Sequence, residues 1–482
     1  MVSKSSRELA YRSSEKGEST IVTTEELLKH VGLCNPFTQF ITISMAFLWM
    51  LSALAAVSPA FMSPTMPCEK NCTFVTVQQE FGLEKSLIDP GEMTSSIYFV
   101  GNLVFGQIFC VASDRIGRRP VLIFSLIISG LAGTGAAFAP NFYLMLLGRM
   151  IQGSFFSALT MINWVLCGES IAFHGHGAAS FLFGLLWVIG YCLVAPLALI
   201  VPDWRYIQFI ISIPSVLFGI LMFFTLPESF SFLIAKERKT DAHKWISKAS
   251  MFTRQEYNYD LDKIIAHDAS NVTQESSLGE CLRNILKRFD LKLYVFIQSM
   301  LWITDFMLYA SFSLSSTSIS KDTNPYLLYI FSGIVELPCY LLIPFGLELL
   351  GRKPTVMLSH IITAASLIVC VLFPADDHAT VFLFAWLIGK FGTASAFMCC
   401  FVYGAECFPV QYRNICLGFC ATVANVGAMI ATHMEILDTV YPGLQFMFYT
   451  VLCLIATLIT VFLPETKNHG TEETTVAADE RF

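Results

Sequence analysis

The chain has 482 residues, 55% of them hydrophobic and only 14% charged, with a mean hydropathy of +0.61. A soluble globular chain carries roughly 25% charged residues, so this composition excludes an ordinary soluble enzyme. The net charge of −7 is confined to a few loops, and no basic stripe or tail offers a surface to nucleic acid.

Residues 1–35 are polar and form a first, cytoplasmic segment in which Thr24 to His30 reads as a short helix. Twelve apolar blocks follow, at about 36–61, 93–112, 120–138, 142–167, 176–200, 204–226, 290–314, 325–349, 355–373, 379–404, 412–436 and 443–463. Each approaches the ~20 residues that span a bilayer as a helix, and helix is the state that satisfies backbone groups without water. The expected fold is therefore an all-α polytopic membrane protein with twelve transmembrane helices in two six-helix halves. The divisions are 36–226, a cytoplasmic linker loop at 227–289, 290–463, and a cytoplasmic tail at 464–482.

Orientation follows from Lys and Arg, which favour the cytoplasmic side. Arg115, Arg118 and Arg119 lie in the second loop, ten Lys and Arg residues in the 227–289 linker, and Arg352 and Lys353 in the loop after helix 8. Both termini are thus expected in the cytoplasm, and the loop at 62–92 outside. That loop holds Cys68 and Cys72, which pair if it faces an oxidising space. It also holds Asn71-Cys72-Thr73, a glycosylation triplet at Asn71. The other cysteines mostly sit in apolar runs as small hydrophobes. No zinc-type spacing and no G-x-x-x-x-G-K-[ST] loop is present, so no metal, ATP or other cofactor is expected.

Two landmarks repeat. Asp114-Arg115-Ile116-Gly117-Arg118-Arg119-Pro120 has a partner in Glu348-Leu349-Leu350-Gly351-Arg352-Lys353-Pro354, 234 positions on. Leu226-Pro227-Glu228-Ser229 has one in Leu463-Pro464-Glu465-Thr466, 237 positions on. Gly148-Arg149 and Gly389-Lys390, 241 positions apart, add a looser third, and three landmarks in one order at nearly one spacing mean tandem halves, as in many secondary transporters. Glycine allows the tight reversal between helices, and proline suits the first turn of the next one.

The basic turn resembles the signature turn of the major facilitator superfamily. Further strings are similar to one branch, the organic cation, anion and zwitterion transporters (solute carrier family 22). They are Gly148-Arg149-Met150-Ile151-Gln152-Gly153, Ser332-Gly333-Ile334-Val335-Glu336-Leu337-Pro338, Gly389-Lys390-Phe391-Gly392, and Ala405-Glu406-Cys407-Phe408-Pro409 with Arg413-Asn414. The resemblance implies two packed bundles, a substrate cavity between them and alternating access at the plasma membrane. It also implies that Asp114, Arg118, Arg119, Arg149, Glu169, Glu228, Glu348, Arg352, Glu406 and Arg413 form cytoplasmic ion pairs that hold one access state.

Charges at membrane depth usually line a cavity. Glu336, Asp305 and Lys390 lie mid-helix, and His433 and Glu435 near the outer end of helix 11. Glu336 and Lys390 read either as a ligand site or as a structural lock. Trp302, Phe306 and Tyr309 share a helix face, and aromatic walls beside a carboxylate suit organic cations. In the resembled family a helix 11 position carries Asp in cation carriers and Arg in anion carriers; here it is Asn425, neither charge. The expected substrate is a small organic ion, with cations or carnitine-like zwitterions favoured over anions. The alternatives are an organic anion carrier or a carrier-fold receptor that does not transport. Apart from that substrate, the expected partner is membrane lipid.

Overall fold

The computed structural model describes residues 23–62, 75–83, 89–253, 257, 259–271, 283–285, 287–317 and 324–467. Among them eleven helices are long and apolar enough to cross a membrane. These are α1 Pro36–Phe61, α2 Pro90–Ile116, α3 Arg118–Ala137, α4 Phe142–Gly168, α5 Phe173–Ile200, α6 Trp204–Thr225, α7 Phe289–Thr317, α8 Pro325–Leu349, α9 Arg352–Leu372, α10 Ala375–Cys407 and α11 Ile415–Val440. A shorter apolar helix, α12 Leu444–Thr460, completes the second set of six. Cys68, Asn71 and Cys72 lie outside the described residues.

Local sequence sets the starts. Asn35, Asp89 and Asn324 each accept a backbone N–H from two residues on, and each is followed by proline at the first helical position. An Asx side chain thereby satisfies an orphan donor where proline has none to offer. α3 and α9 instead follow Gly117 and Gly351, whose φ values of 127° and 102° disfavour a side chain.

The duplication is visible in the packing. α1 packs on α5 as α7 packs on α11, α2 on α4 as α8 on α10, and α3 on α6 as α9 on α12. The halves meet through two equivalent pairs, α2 with α11 and α5 with α8. In the second pair a Cβ on Gly184 would stand 2.3 Å from the Tyr340 ring, and one on Gly333 would stand 2.7 Å from Tyr191. The smallest residues therefore let the two halves interlock, as small residues do between membrane helices.

The stretch joining the halves contains more than loop. Helices Phe230–Ala235, Lys239–Thr253 and Leu261–Asn271 pack with Thr24–Val31 beneath the first half. Trp245 is fully buried there, with its ring centroid 5.2 Å from Phe37 and 4.8 Å from Phe230.

Candidate functional site

α8 is not continuous. Its helical pattern is interrupted at Val335 and Glu336, just before Pro338. Proline supplies no N–H to close the preceding turn. Interrupted helices are where carriers expose polar groups at depth.

Glu336 and Lys390 are both fully buried, and Lys390 Nζ lies 2.9 Å from Glu336 Oε1. The ammonium donates to Ser313 Oγ at 2.6 Å and sits 3.9 Å from the centre of the Tyr309 ring. Tyr309 donates to Glu336 Oε2 at 3.2 Å and accepts from Trp187 Nε1 at 2.7 Å. Trp187 is on α5, so this chain of bonds crosses from one half to the other. Tyr191, also on α5, bonds to Ser332 Oγ at 3.1 Å and Ser313 O at 3.3 Å, with Lys390 Nζ 5.4 Å from its ring. Beside this pair lies an aromatic cluster drawn from both halves, in which Trp187 and Tyr309 pack with Trp49, Phe156, Phe306 and Phe397. A buried charge pair is tolerated only with such geometry and extra hydrogen bonds.

The structure brings together Glu336, Lys390, Tyr309 and Phe306, and places the other candidates elsewhere. Trp302 belongs to the second half's core and reaches this cluster only through its ring contact with Phe397, packing also on Phe401. Asn425 accepts from Asn102 Nδ2 at 2.7 Å, a buried bond across the α2–α11 contact and apart from the charge pair. Asp305 turns away into the second half's own core. It accepts from His360 Nε2 and from Cys400 Sγ, each at 2.8 Å, and all three side chains are fully buried. One residue of offset from Phe306 rotates a helical side chain by about a quarter turn, enough to move it to another face.

The charged turns form two matching clusters. In the first, Arg118 Nη2 lies 3.1 Å from both Asp114 and Glu169. Glu228 accepts the Arg119 backbone N–H at 3.0 Å, and Ser229 Oγ bonds to Glu169. In the second, Arg352 pairs with Glu406 through two 2.8 Å bonds. Glu465 accepts from the Arg352 and Lys353 backbone N–H groups at 2.9 and 3.1 Å, and Thr466 donates to Glu406 at 2.5 Å. Glu465 and Thr466 were not among the sequence candidates, although the repeated Leu-Pro-Glu-Ser/Thr string carries the signal. Burial pushes the Glu228 carboxyl above the usual carboxylate range, against the lowering effect of its amide donors and Arg118.

Three members of the expected gate sit outside these clusters. Arg149 is fully buried two turns into α4, at the end opposite the basic turns. It donates to Gln152 Oε1 at 2.8 Å and Ala55 O at 3.2 Å and lies 4.8 Å from the centre of the Tyr98 ring. α4 runs away from that end, so a string at its start cannot reach Glu169 just beyond its finish. Glu348 is exposed and leaves Arg352 to Glu406. Arg413, half-buried on the helix Val410–Ala431, faces Glu406 without an ion pair among the described residues.

At the end away from the basic turns the halves are pinned together. His433 Nδ1 is 3.0 Å from Glu92 Oε2, Thr317 donates to Ala60 O at 3.5 Å and Tyr329 to Val57 O at 3.4 Å. Phe61 stacks on Tyr326 at 5.5 Å.

Comparison with known proteins agrees with this fold. The family model described as "Sugar (and other) transporter" matches residues 60–478. A putative transporter of Caenorhabditis elegans is 28% identical over 456 residues, covering 94% of this chain and 91% of the relative. The organic cation transporter protein of Drosophila melanogaster is 27% identical, covering 78% of this chain and 68% of its own. Organic anion transporter 3 of Homo sapiens is 27% identical over 80% of this chain and 70% of its own. Among solved structures, a partially occluded inward-open conformation of the xylose transporter XylE from E. coli superposes with a TM-score of 0.66. That match covers 90% of this chain and 98% of that one at 18% identity, a likeness of fold alone. The chain belongs to the sugar (and other) transporter family within the major facilitator superfamily and is a multi-pass membrane transporter, similar to proteins named as organic cation and anion transporters and as a solute carrier family 22 member.

Proposed function

We propose that this chain carries small organic ions across the plasma membrane by alternating access, with organic cations or carnitine-like zwitterions favoured. The observation that carries the reading is the Glu336–Lys390 pair, set beside an aromatic cluster and tied to the opposite half through Tyr309 and Trp187. A cationic head fits the aromatic faces and Glu336; a carboxylate on the same substrate fits Lys390. Relatives named as organic cation and organic anion transporters support an organic ion as cargo. The basic turns mark the cytoplasmic end in this reading. Their ion pairs stay within each half, while the opposite end is closed by contacts between halves, as a carrier open to the cytoplasm requires.

The test is uptake and current in a voltage-clamped cell, comparing a quaternary ammonium, a zwitterionic betaine and an aromatic carboxylate. Saturable uptake of ammonium or betaine, lost in Glu336→Gln, is the expected result. Uptake of the carboxylate alone makes the chain an anion carrier centred on Lys390. No uptake of any, with the protein confirmed at the surface, overturns the reading in favour of a non-transporting receptor.

A further inference from the structure

The second half contains a cavity of about 330 Å³ at the end away from the basic turns, within the range of small-ligand sites. It is lined by α7, α9, α10, α11 and α12, and no described residue of the first half is among its lining. Its apolar walls are Phe312, Phe382, Trp386 and Phe446. Phe312 and Trp386 pack with centroids 5.2 Å apart and close its inner end, one turn along α10 from Lys390.

Two carboxylates line the same space. Glu435 Oε1 accepts from Ser315 Oγ at 3.1 Å, and Asp438 Oδ1 accepts from the Gln445 backbone N–H at 3.1 Å. Neither has a cationic partner among the described residues. Gln445 spends its side-chain donors on Ser311 and Tyr449. The cavity thus combines two carboxylates with aromatic walls. A metal ion does not fit this arrangement, because no group of three or more His, Cys, Asp or Glu able to hold one occurs among the described residues. Aromatic faces beside carboxylates are instead the chemistry that recognises alkylammonium ions.

We propose that this cavity is a second binding site, for a small alkylammonium ion, separate from the Glu336–Lys390 path and reached from the far end. An ion held there bridges the outer ends of α7, α11 and α12. Ser315 is two residues from Thr317, which bonds to α1 across the halves, so occupancy stiffens the closed far end.

The experiment is fluorescence titration of the purified full chain with tetramethylammonium and with choline. Wild type, Glu336→Gln, Trp386→Phe, Glu435→Gln and Asp438→Asn are compared, each first shown to be monodisperse. The expected result is a saturable fluorescence change in wild type and Glu336→Gln whose Trp386-dependent part is absent in Trp386→Phe. Binding at least tenfold weaker in Glu435→Gln and in Asp438→Asn completes it. No saturable Trp386-dependent change overturns the proposal, as does unchanged affinity in both carboxylate variants. Loss of the signal in Glu336→Gln also overturns it, by assigning the ion to the central path. If a carboxylate variant fails to fold, the remaining one and the Glu336→Gln comparison decide. The readout is binding, so a failure of the transport reading leaves this result standing.

Discussion

Lys390 and Glu336 stabilise one another only as a pair. Removing one leaves the other charged and buried, which costs about 3–5 kcal/mol. Lys390→Ala is therefore expected to lower the melting temperature of the solubilised protein sharply, and Lys390→Ala with Glu336→Ala to recover most of that loss. Neither is expected to transport. A double variant no more stable than the single one would show that the pair does not act as a unit. Asp305 behaves differently because His360 and Cys400 absorb it inside one half. Asp305→Ala leaves buried donors unpaired at a cost of about 1–3 kcal/mol, with KM unchanged for the protein that reaches the membrane. A selective rise in KM would return Asp305 to the substrate path.

At the scale of elements, the two basic turns are copies down to their hydrogen bonds. Gly117 and Gly351 each sit at positive φ with a glutamate against them: a Cβ would stand 2.5 Å from Glu228 and 2.8 Å from Glu465. Gly117→Ala and Gly351→Ala are each expected to cost about 1–3 kcal/mol in backbone strain, read as thermal stability and lost uptake. Gly135→Ala, where a Cβ meets nothing within 4 Å, serves as the control. Glu228 adds a pH dependence. Its folded pKa is raised, chiefly by burial, so its contribution favours the fold below the ordinary glutamate value of about 4.3. That contribution is lost as pH rises through the raised value. Comparing the stability–pH profile of Glu228→Gln with wild type tests this; the variant is expected to lack that decline, and identical profiles would contradict it.

For the whole molecule, the closed far end predicts a trap. Glu92 and His433 face each other across the halves at 3.0 Å. A Glu92→Cys/His433→Cys variant, oxidised, is expected to lose uptake almost completely and to regain it on reduction, with oxidised wild type unaffected. Full activity with the crosslink formed would mean that these two helices do not separate during transport.

Much was legible in the sequence. Apolar run length fixes which segments cross the bilayer, because backbone groups in hydrocarbon must bond within their own helix. The repeated Gly, Arg, Pro and Glu strings fix the duplication and the two turns, because tight reversals and helix starts depend on local residue type. Which charges meet is a different matter. Glu336, Lys390 and Tyr309 come from three helices and meet only once α7, α8 and α10 are packed. The parts played by Trp187 and Tyr191 depend on how one half seats against the other. Asp305 had the same apparent claim as Glu336, a charge inside an apolar helix, and Arg149 was expected among the cytoplasmic ion pairs. Their partners, His360, Cys400, Gln152 and Tyr98, are set by helix rotation and depth. A linear pattern specifies that a buried charge needs a partner; only the tertiary packing decides which one it gets.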